Sequence, residues 1–336
     1  MTQRIGILGL GAYLPERIMT NAEWASHVDT TDDWIVERTG IRRRRFAADD
    51  ESTADLAVHA ARHALADAGL DPAGIDEIVV ATDTPEVYSP DTASFLQARL
   101  GTREIPAYDL GSSGCAGFVL ALDVARARAI QKDRRILVVG VELISRMMDW
   151  QDRNTCVLFG DGAGAAVVGR GTGIAELLAA NAGTDGSFSD ILGLEVGGTR
   201  MPFTEERARA KLHQRLIMNG RKVFREAVRR MTACAHELLD EAGLGLHEVD
   251  LVIPHQANLR ILDAVRERLG LPEEKVFCNV QDYGNTGSAS VPVALWEARA
   301  HGRIGPGDVV LLTAFGAGFH WAGMLLRFSG VREEPV

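Results

Sequence analysis

The sequence predicts an α/β fold assembled from two duplicated halves. Two observations carry that expectation. Short apolar runs rich in β-branched residues alternate along the chain with Ala/Leu/Arg-rich stretches of helical length, the pattern of strands joined through helices. In addition, two separate segments recur at one spacing. Leu65–Val80 (LADAGLDPAGIDEIVV) and Leu239–Pro254 (LDEAGLGLHEVDLVIP) lie 174 residues apart and share five of sixteen positions, where average composition gives about one. The same spacing sets Ile136–Val139 on Val310–Thr313, strand on strand. The duplication divides the chain into residues 1–172 and 173–336.

In chain order, the strand candidates are Ile5–Leu10, Ile75–Thr82, Ile136–Glu142, Ala163–Val168, Val249–Pro254, Val309–Ala314 and Gly323–Phe328. Each is a short run of Val, Ile, Leu and Ala, as in strands covered on both faces. The helix candidates are Ser52–Ala68, Cys115–Arg128, Gly220–Ala242, Leu259–Leu269 and Ser290–His301. Their Ala, Leu and Arg content favours helix.

Composition narrows the function. The 336 residues suit two domains or one double-sized one, and 46% hydrophobic with 24% charged residues is ordinary for a globular protein. The formal net charge of −10 makes the chain a poor generic binder of nucleic acid or anionic membrane. Cys115, Cys156, Cys234 and Cys278 are scattered with no CxxC pair, so no metal site and no disulfide framework is expected. A reduced, cytoplasmic setting follows as the default. No signal peptide is read at the N-terminus, and no apolar run reaches the ~18 residues of a membrane span.

Three segments hold candidate chemistry. Cys115 follows the small residues Gly111–Gly114 and opens a helical pattern. A helix N-terminus favours thiolate over thiol, so a nucleophile with a depressed pKa is expected; the alternative is an inert buried cysteine. His255 lies just past a strand end, where α/β folds place their sites. Asn285 sits in a Gly-bracketed loop before a helix. The repeat connects them: residue 289, the counterpart of Cys115, is Ala, and residue 111, the counterpart of Asn285, is Gly. The Cys and Asn loops are therefore pseudo-equivalent, and a site shared between the halves is expected, with Cys from one and His and Asn from the other.

On these residues the chain resembles the thiolase-related condensing enzymes, specifically β-ketoacyl-[acyl-carrier-protein] synthase III. The resemblance runs over about residues 3–328 and rests on GCAGF around Cys115, PHQANLRI around His255 and GNTGSAS around Asn285. Beside these stand DTTDDWIVERTGIRRRRFA (Asp29–Ala47), LFGDGAGAAVVG (Leu158–Gly169) and FGAGFHWAG (Phe315–Gly323). It implies a thiolase-like five-layer αβαβα fold, a homodimer, and the decarboxylative condensation of an acyl-CoA primer with malonyl-acyl carrier protein, without a cofactor. It also implies Cys115 as nucleophile, His255 and Asn285 as decarboxylation donors, and backbone N–H groups of Cys115 and Ala317 as an oxyanion hole. For CoA, it implies Trp34 and Arg153 around the adenine, Thr30, Arg38 and Thr39 near the nucleotide, and Gly220, Phe224, Ala257 and Asn258 along the pantetheine channel. An acidic carrier protein needs a local basic patch, for which Arg260 leads and Arg225, Arg266 and Arg268 follow. The acyl pocket floor is expected from Ser89–Pro90 of the partner subunit and from apolar residues around 188–203.

Three rivals remain: a relative transferring the acyl group to an alcohol or amine, a thiolase (with Cys278 as second cysteine) or hydroxymethylglutaryl-CoA synthase, and a silent dimer partner. GNTGSAS departs from the more usual GNTSAAS at Gly287, and Asn154 stands where the family often has Gly.

Overall fold

The structure, a computed structural model, describes residues 4–330; residues 1–3 and 331–336, the outer ends of the two expected halves, lie outside the described residues. Its frame is a nine-stranded mixed sheet. The order is Leu251–Pro254, Val309–Gly316, His320–Phe328, Ala175–Thr184, Ile5–Tyr13, Asp161–Arg170, Ile136–Leu143, Glu77–Thr82 and Ala107–Gly111. The five strands from residues 5–170 meet the four from residues 175–328 where Gly6 pairs with Glu176 and Ile7 with Ala175.

Strand residues alternate between two cores, because successive side chains point to opposite faces. Val79, Ile136 and Val138 face a central cluster, while Ile78, Val80, Leu137 and Val139 face an outer one. Helices Gly117–Gln131 and Ser290–Ala300 supply Phe118, Leu122, Ala125, Val291, Leu295 and Ala298 to the central cluster. There they are packed between the two groups of strands. Helix Thr53–Ala68 covers one outer face through Leu56, Ala60 and Ala64. Helices Gly220–Ala242 and Leu259–Leu269 cover the other through Met231, Leu238 and Val265. The sequence of layers is helix, sheet, helix, sheet, helix.

The repeat is geometric as well as textual. Glu77 pairs in parallel with Ile136, and Val80 with Val139. At the 174-residue spacing, Leu251 pairs with Val310, and Pro254 with Thr313. The helices before the first strand of each pair both end on a left-handed glycine, Gly69 at φ 64° and Gly243 at φ 66°, which frees the chain to turn. The spacing slips by one at the site. Two short 3-10 turns, Gly114–Ala116 and Gly287–Ala289, each precede a central helix and each start on a positive-φ glycine, at 60° and 55°. Structurally, the counterpart of Cys115 is thus Ser288, not Ala289.

Each expected strand and helix is present. Others were not expected: strands Ala107–Gly111 and Ala175–Thr184, and helices Asp32–Thr39 and Thr92–Leu100. Ala175–Thr184 (AELLAANAGT) is Ala-rich and reads as helix, but pairing with His320–Phe328 along its length makes it a strand. Among the described residues, no helix is long and apolar enough to cross a membrane.

Candidate active site

Cys115 stands on the turn Gly114–Ala116, immediately before helix Gly117–Gln131. His255 follows strand Leu251–Pro254, its backbone N–H donating to Thr313 O at 2.8 Å. Asn285 is held by backbone on both sides: its N–H donates to Leu158 O at 2.8 Å, and its carbonyl accepts from Gly160 N at 3.0 Å. These three residues, from three distant segments, line one cavity of about 880 Å³. The Cys115 Sγ lies 4.0 Å from Asn285 Oδ1, which also accepts from Gly287 N at 2.8 Å. With Oδ1 so engaged, Nδ2 is the donor left for a ligand. His255 Nδ1 lies 2.6 Å from Ser290 Oγ.

The backbone around the sulfur is crowded. A Cβ on Gly114 would sit 2.6 Å from Ala317 N, and one on Gly316 would sit 2.3 Å from Cys115 N. The loops carrying Cys115 and Ala317 therefore meet backbone to backbone, and only glycine permits the approach.

Electrostatics departs from the sequence expectation at the nucleophile. The Cys115 thiol is pushed up, not down: burial dominates, and the carboxylates of Asp83 and Glu142 add to it. The short turn before the helix is outweighed by desolvation of the thiol. Burial pushes His255 down to about 3, so its ring is neutral. Asp83 and Glu142, which the sequence reading passed over, are both held above the usual carboxylate range by burial, Glu142 further by Asp83. A lone acidic residue at a strand end carries no signal in the sequence; only the fold brings these two together.

Of the other candidates, Trp34, Arg38, Thr39, Gly220, Phe224, Ala257, Asn258, Arg260 and Ala317 line the same cavity. Two guanidinium groups stand over the Trp34 ring, Arg38 Cζ 4.8 Å and Arg153 Cζ 5.1 Å from its centroid. Arg153 donates to Asp29 O at 2.8 Å. Asn258 caps helix Leu259–Leu269, its side chain accepting from Arg260 N. Thr30, Arg153 and Arg225 are not among the lining residues. Nor are Arg266 and Arg268, which occupy the last turn of that helix, away from Arg260 at its start. Arg221, not singled out from the sequence, lines the cavity with Arg38 and Arg260. From the region 188–203, Leu192, Gly193 and Leu194 reach the lining; Ser89–Pro90 is exposed on this chain. Cys278 lies off the cavity, its Sγ 3.3 Å from Gln281 Oε1, so no second thiol faces Cys115 there. Among the described residues, no group of three or more His, Cys, Asp and Glu could hold a metal ion.

Comparison with known proteins identifies the family. The 3-oxoacyl-[acyl-carrier-protein] synthase III profile matches residues 108–186, and its C-terminal counterpart matches residues 239–328. The β-ketoacyl-[acyl-carrier-protein] synthase III of Caldanaerobacter subterraneus subsp. tengcongensis is 46% identical, over 96% of this chain and 98% of that protein. The chain belongs to the β-ketoacyl-[acyl-carrier-protein] synthase III family. The Nitratidesulfovibrio vulgaris synthase III is 49% identical over 98% of this chain and all of that one. The crystal structure of the Thermus thermophilus synthase III superposes with a TM-score of 0.89 at 47% identity, covering 97% of this chain and 100% of that one. A synthase III is a condensing acyltransferase with a thiolase-like fold, and this chain is one.

Proposed function

We propose that this synthase III joins an acyl-CoA primer to malonyl-acyl carrier protein through an acyl group carried on Cys115. The observation that carries the reading is the convergence of Cys115, His255 and Asn285 on one cavity, with Sγ 4.0 Å from the Asn285 amide. Trp34 and Arg38 lie along the same cavity. Adenine stacked between Trp34 and Arg153 needs about 7 Å, twice van der Waals contact; the present 5.1 Å has Arg153 swinging outward on binding.

In the first half-reaction, Cys115 sulfur attacks the thioester carbonyl. The C–S bond to CoA breaks, and the thiol proton ends on the departing CoA. The tetrahedral oxyanion takes hydrogen bonds from the N–H groups of Cys115 and Ala317, whose loops meet at Gly114 and Gly316. In the second, the malonyl carboxylate leaves as CO₂, and its electron pair becomes an enolate on the thioester oxygen. With the Ser290 hydroxyl donating to Nδ1, the neutral His255 ring offers Nε2–H to that oxygen beside Asn285 Nδ2–H. The carbanion carbon attacks the acyl carbonyl and expels Cys115, whose sulfur takes up one proton. No redox partner is needed.

Arg260 at the cavity, with Arg225 next in sequence to the lining residue Phe224, suits the acidic carrier protein. The exposed Val87 and Tyr88, 43% and 86% accessible, flank Ser89–Pro90, as expected if that loop inserts into a second copy of the chain.

The test is Asn285→Ala. Mass spectrometry should show Cys115 still acylated by acyl-CoA, while CO₂ release from malonyl-carrier protein falls about 10²–10³-fold. Retained condensation, or acylation of a residue other than Cys115, would overturn the reading.

A further inference from the structure

Gln256 follows His255 directly, yet it does not line the cavity: the residue is 1% exposed and its side chain turns back into the protein. Nε2 donates to Pro254 O at 2.7 Å and to Phe277 O at 3.2 Å, and Oε1 accepts from Asn279 N at 2.9 Å. A carbonyl only accepts and a main-chain N–H only donates, so these partners fix which end of the amide is which. Both hydrogens of the NH₂ group are engaged. A carboxylate of the same shape would set oxygen against two carbonyl oxygens. The reaction above assigns this residue no task.

The three bonds join the two segments that carry the decarboxylation donors. Strand Leu251–Pro254, at the edge of the nine-stranded sheet, runs into His255. The segment leading to Asn285 lies alongside it: Val252 bridges in parallel to Val276, and Phe277 N donates to Val252 O at 2.9 Å. Past the end of the strand, the Gln256 amide carries this pairing on to Phe277 O and Asn279 N. From Asn279 the path to Asn285 is held throughout. The one-turn helix Val280–Tyr283 follows, and Gly284 N closes on Val280 O at 2.9 Å. Glu297 accepts from Asn279 Nδ2 at 2.7 Å and from the Tyr283 hydroxyl at 3.1 Å. A displacement at Asn279 is therefore passed on to Asn285.

We propose that Gln256 is a positioning residue for the decarboxylation step: its buried amide sets the Asn279–Asn285 segment against the end of the His255 strand, so that His255 Nε2 and Asn285 Nδ2 converge on one enolate oxygen. Two donors stabilise the same oxygen only when each lies about 2.7–3.1 Å from it. The inference rests on the proposed roles of His255 and Asn285. Acyl transfer stands apart from it, because the three bonds of Gln256 reach neither the turn Gly114–Ala116 nor the loop holding Ala317.

The experiment scores the two half-reactions separately in Gln256→Met, which keeps the side-chain length and removes all three bonds. Mass spectrometry follows Cys115 acylation by acyl-CoA, and labelled malonyl-carrier protein reports CO₂ release by the acylated enzyme. Acylation should stay within about threefold of wild type, while CO₂ release falls about 10²-fold, the cost of misplacing a reacting group by about 1 Å. If Gln256→Met does not fold, Gln256→Glu, which keeps an acceptor for Asn279 N, should show the same split. Added to Asn285→Ala, Gln256→Met should cost less than about a further threefold, because with one donor gone no pair remains to align. A role in stability alone would lower Tm and change both half-reactions together or neither; either result overturns the proposal. So does the full loss recurring on the Asn285→Ala background. CO₂ release retained by Asn285→Ala itself removes the functional reading and this inference with it. Release retained by Gln256→Met, beside an Asn285→Ala enzyme that has lost it, removes the inference alone.

Discussion

Gly316→Ala probes the contact on which acyl transfer depends. Gly316 ends the strand Val309–Gly316 in an ordinary backbone conformation, so alanine brings no φ strain there. Its Cβ, however, would lie 2.3 Å from Cys115 N, 2.9 Å from Gly114 C and 3.0 Å from Gly114 Cα, all of them backbone. Ordinary contact begins at 3.4 Å, so the Cys115 turn must retreat by about 1 Å from the Ala317 amide. A 1 Å misplacement of reacting groups costs on the order of 10²-fold, and loss of one oxyanion donor costs about 10²–10³-fold, or about 2.7–4 kcal/mol. The expected fall in kcat for Cys115 acylation is therefore about 100- to 1,000-fold, read by rapid-quench mass spectrometry with labelled acyl-CoA. Gly186→Ala is the control: nothing lies within 4 Å of its Cβ, and its φ is not positive. It should stay within about 0.5 kcal/mol of wild-type stability. A folded Gly316→Ala enzyme acylating within threefold of wild type would refute the two-loop oxyanion site.

Trp34→Ala should raise KM for acyl-CoA about 2- to 30-fold, the range of a cation–π contact, with kcat unchanged in steady-state assays. Because burial holds His255 down to about 3, the ring stays neutral as pH falls through 6.5; the condensation rate should show no loss centred there, and labelled His255 should not titrate by NMR between pH 5 and 8. Arg260→Glu should weaken use of malonyl-carrier protein about tenfold and flatten its salt dependence, while Cys115 acylation by acyl-CoA is spared; equal loss of both would remove Arg260 from docking. Arg44 is fully buried and donates to Asn21 Oδ1 and Val157 O; Arg44→Ala leaves those acceptors unpaired and should cost about 3 kcal/mol in urea unfolding.

Much of the site was legible because its residues sit in motifs tied to local structure. The small residues before Cys115 do make a turn, and PHQAN does follow a strand end. The repeat at 174 residues matched strand to strand, and the structure adds that each matched pair runs parallel in the same register. What escaped was what depends on long-range company. The direction of the Cys115 shift is set by burial, to which Asp83 and Glu142, 32 and 27 positions away in sequence, add, whereas helix position is a local cue. The one-residue slip that makes Ser288 the counterpart of Cys115 shows only in the paired glycine conformations. Ala175–Thr184 was invisible as a strand because its neighbours, not its composition, decide its state. Arg266 and Arg268 were grouped with Arg260 by proximity in sequence, but along their shared helix they stand about 9 and 12 Å from it at about 1.5 Å per residue.

The two 3-10 turns have a consequence for how many reactive centres one chain can host. Both open a central helix from a left-handed glycine, yet Cys115 faces the cavity while Ser288, 1% exposed, is sealed against Glu142 and Ala81. Installing sulfur at position 288 would create a second thiol with no route for a thioester to reach it. Access, rather than the turn itself, separates the working elbow from its silent twin, and the architecture admits one acyl passenger per protomer.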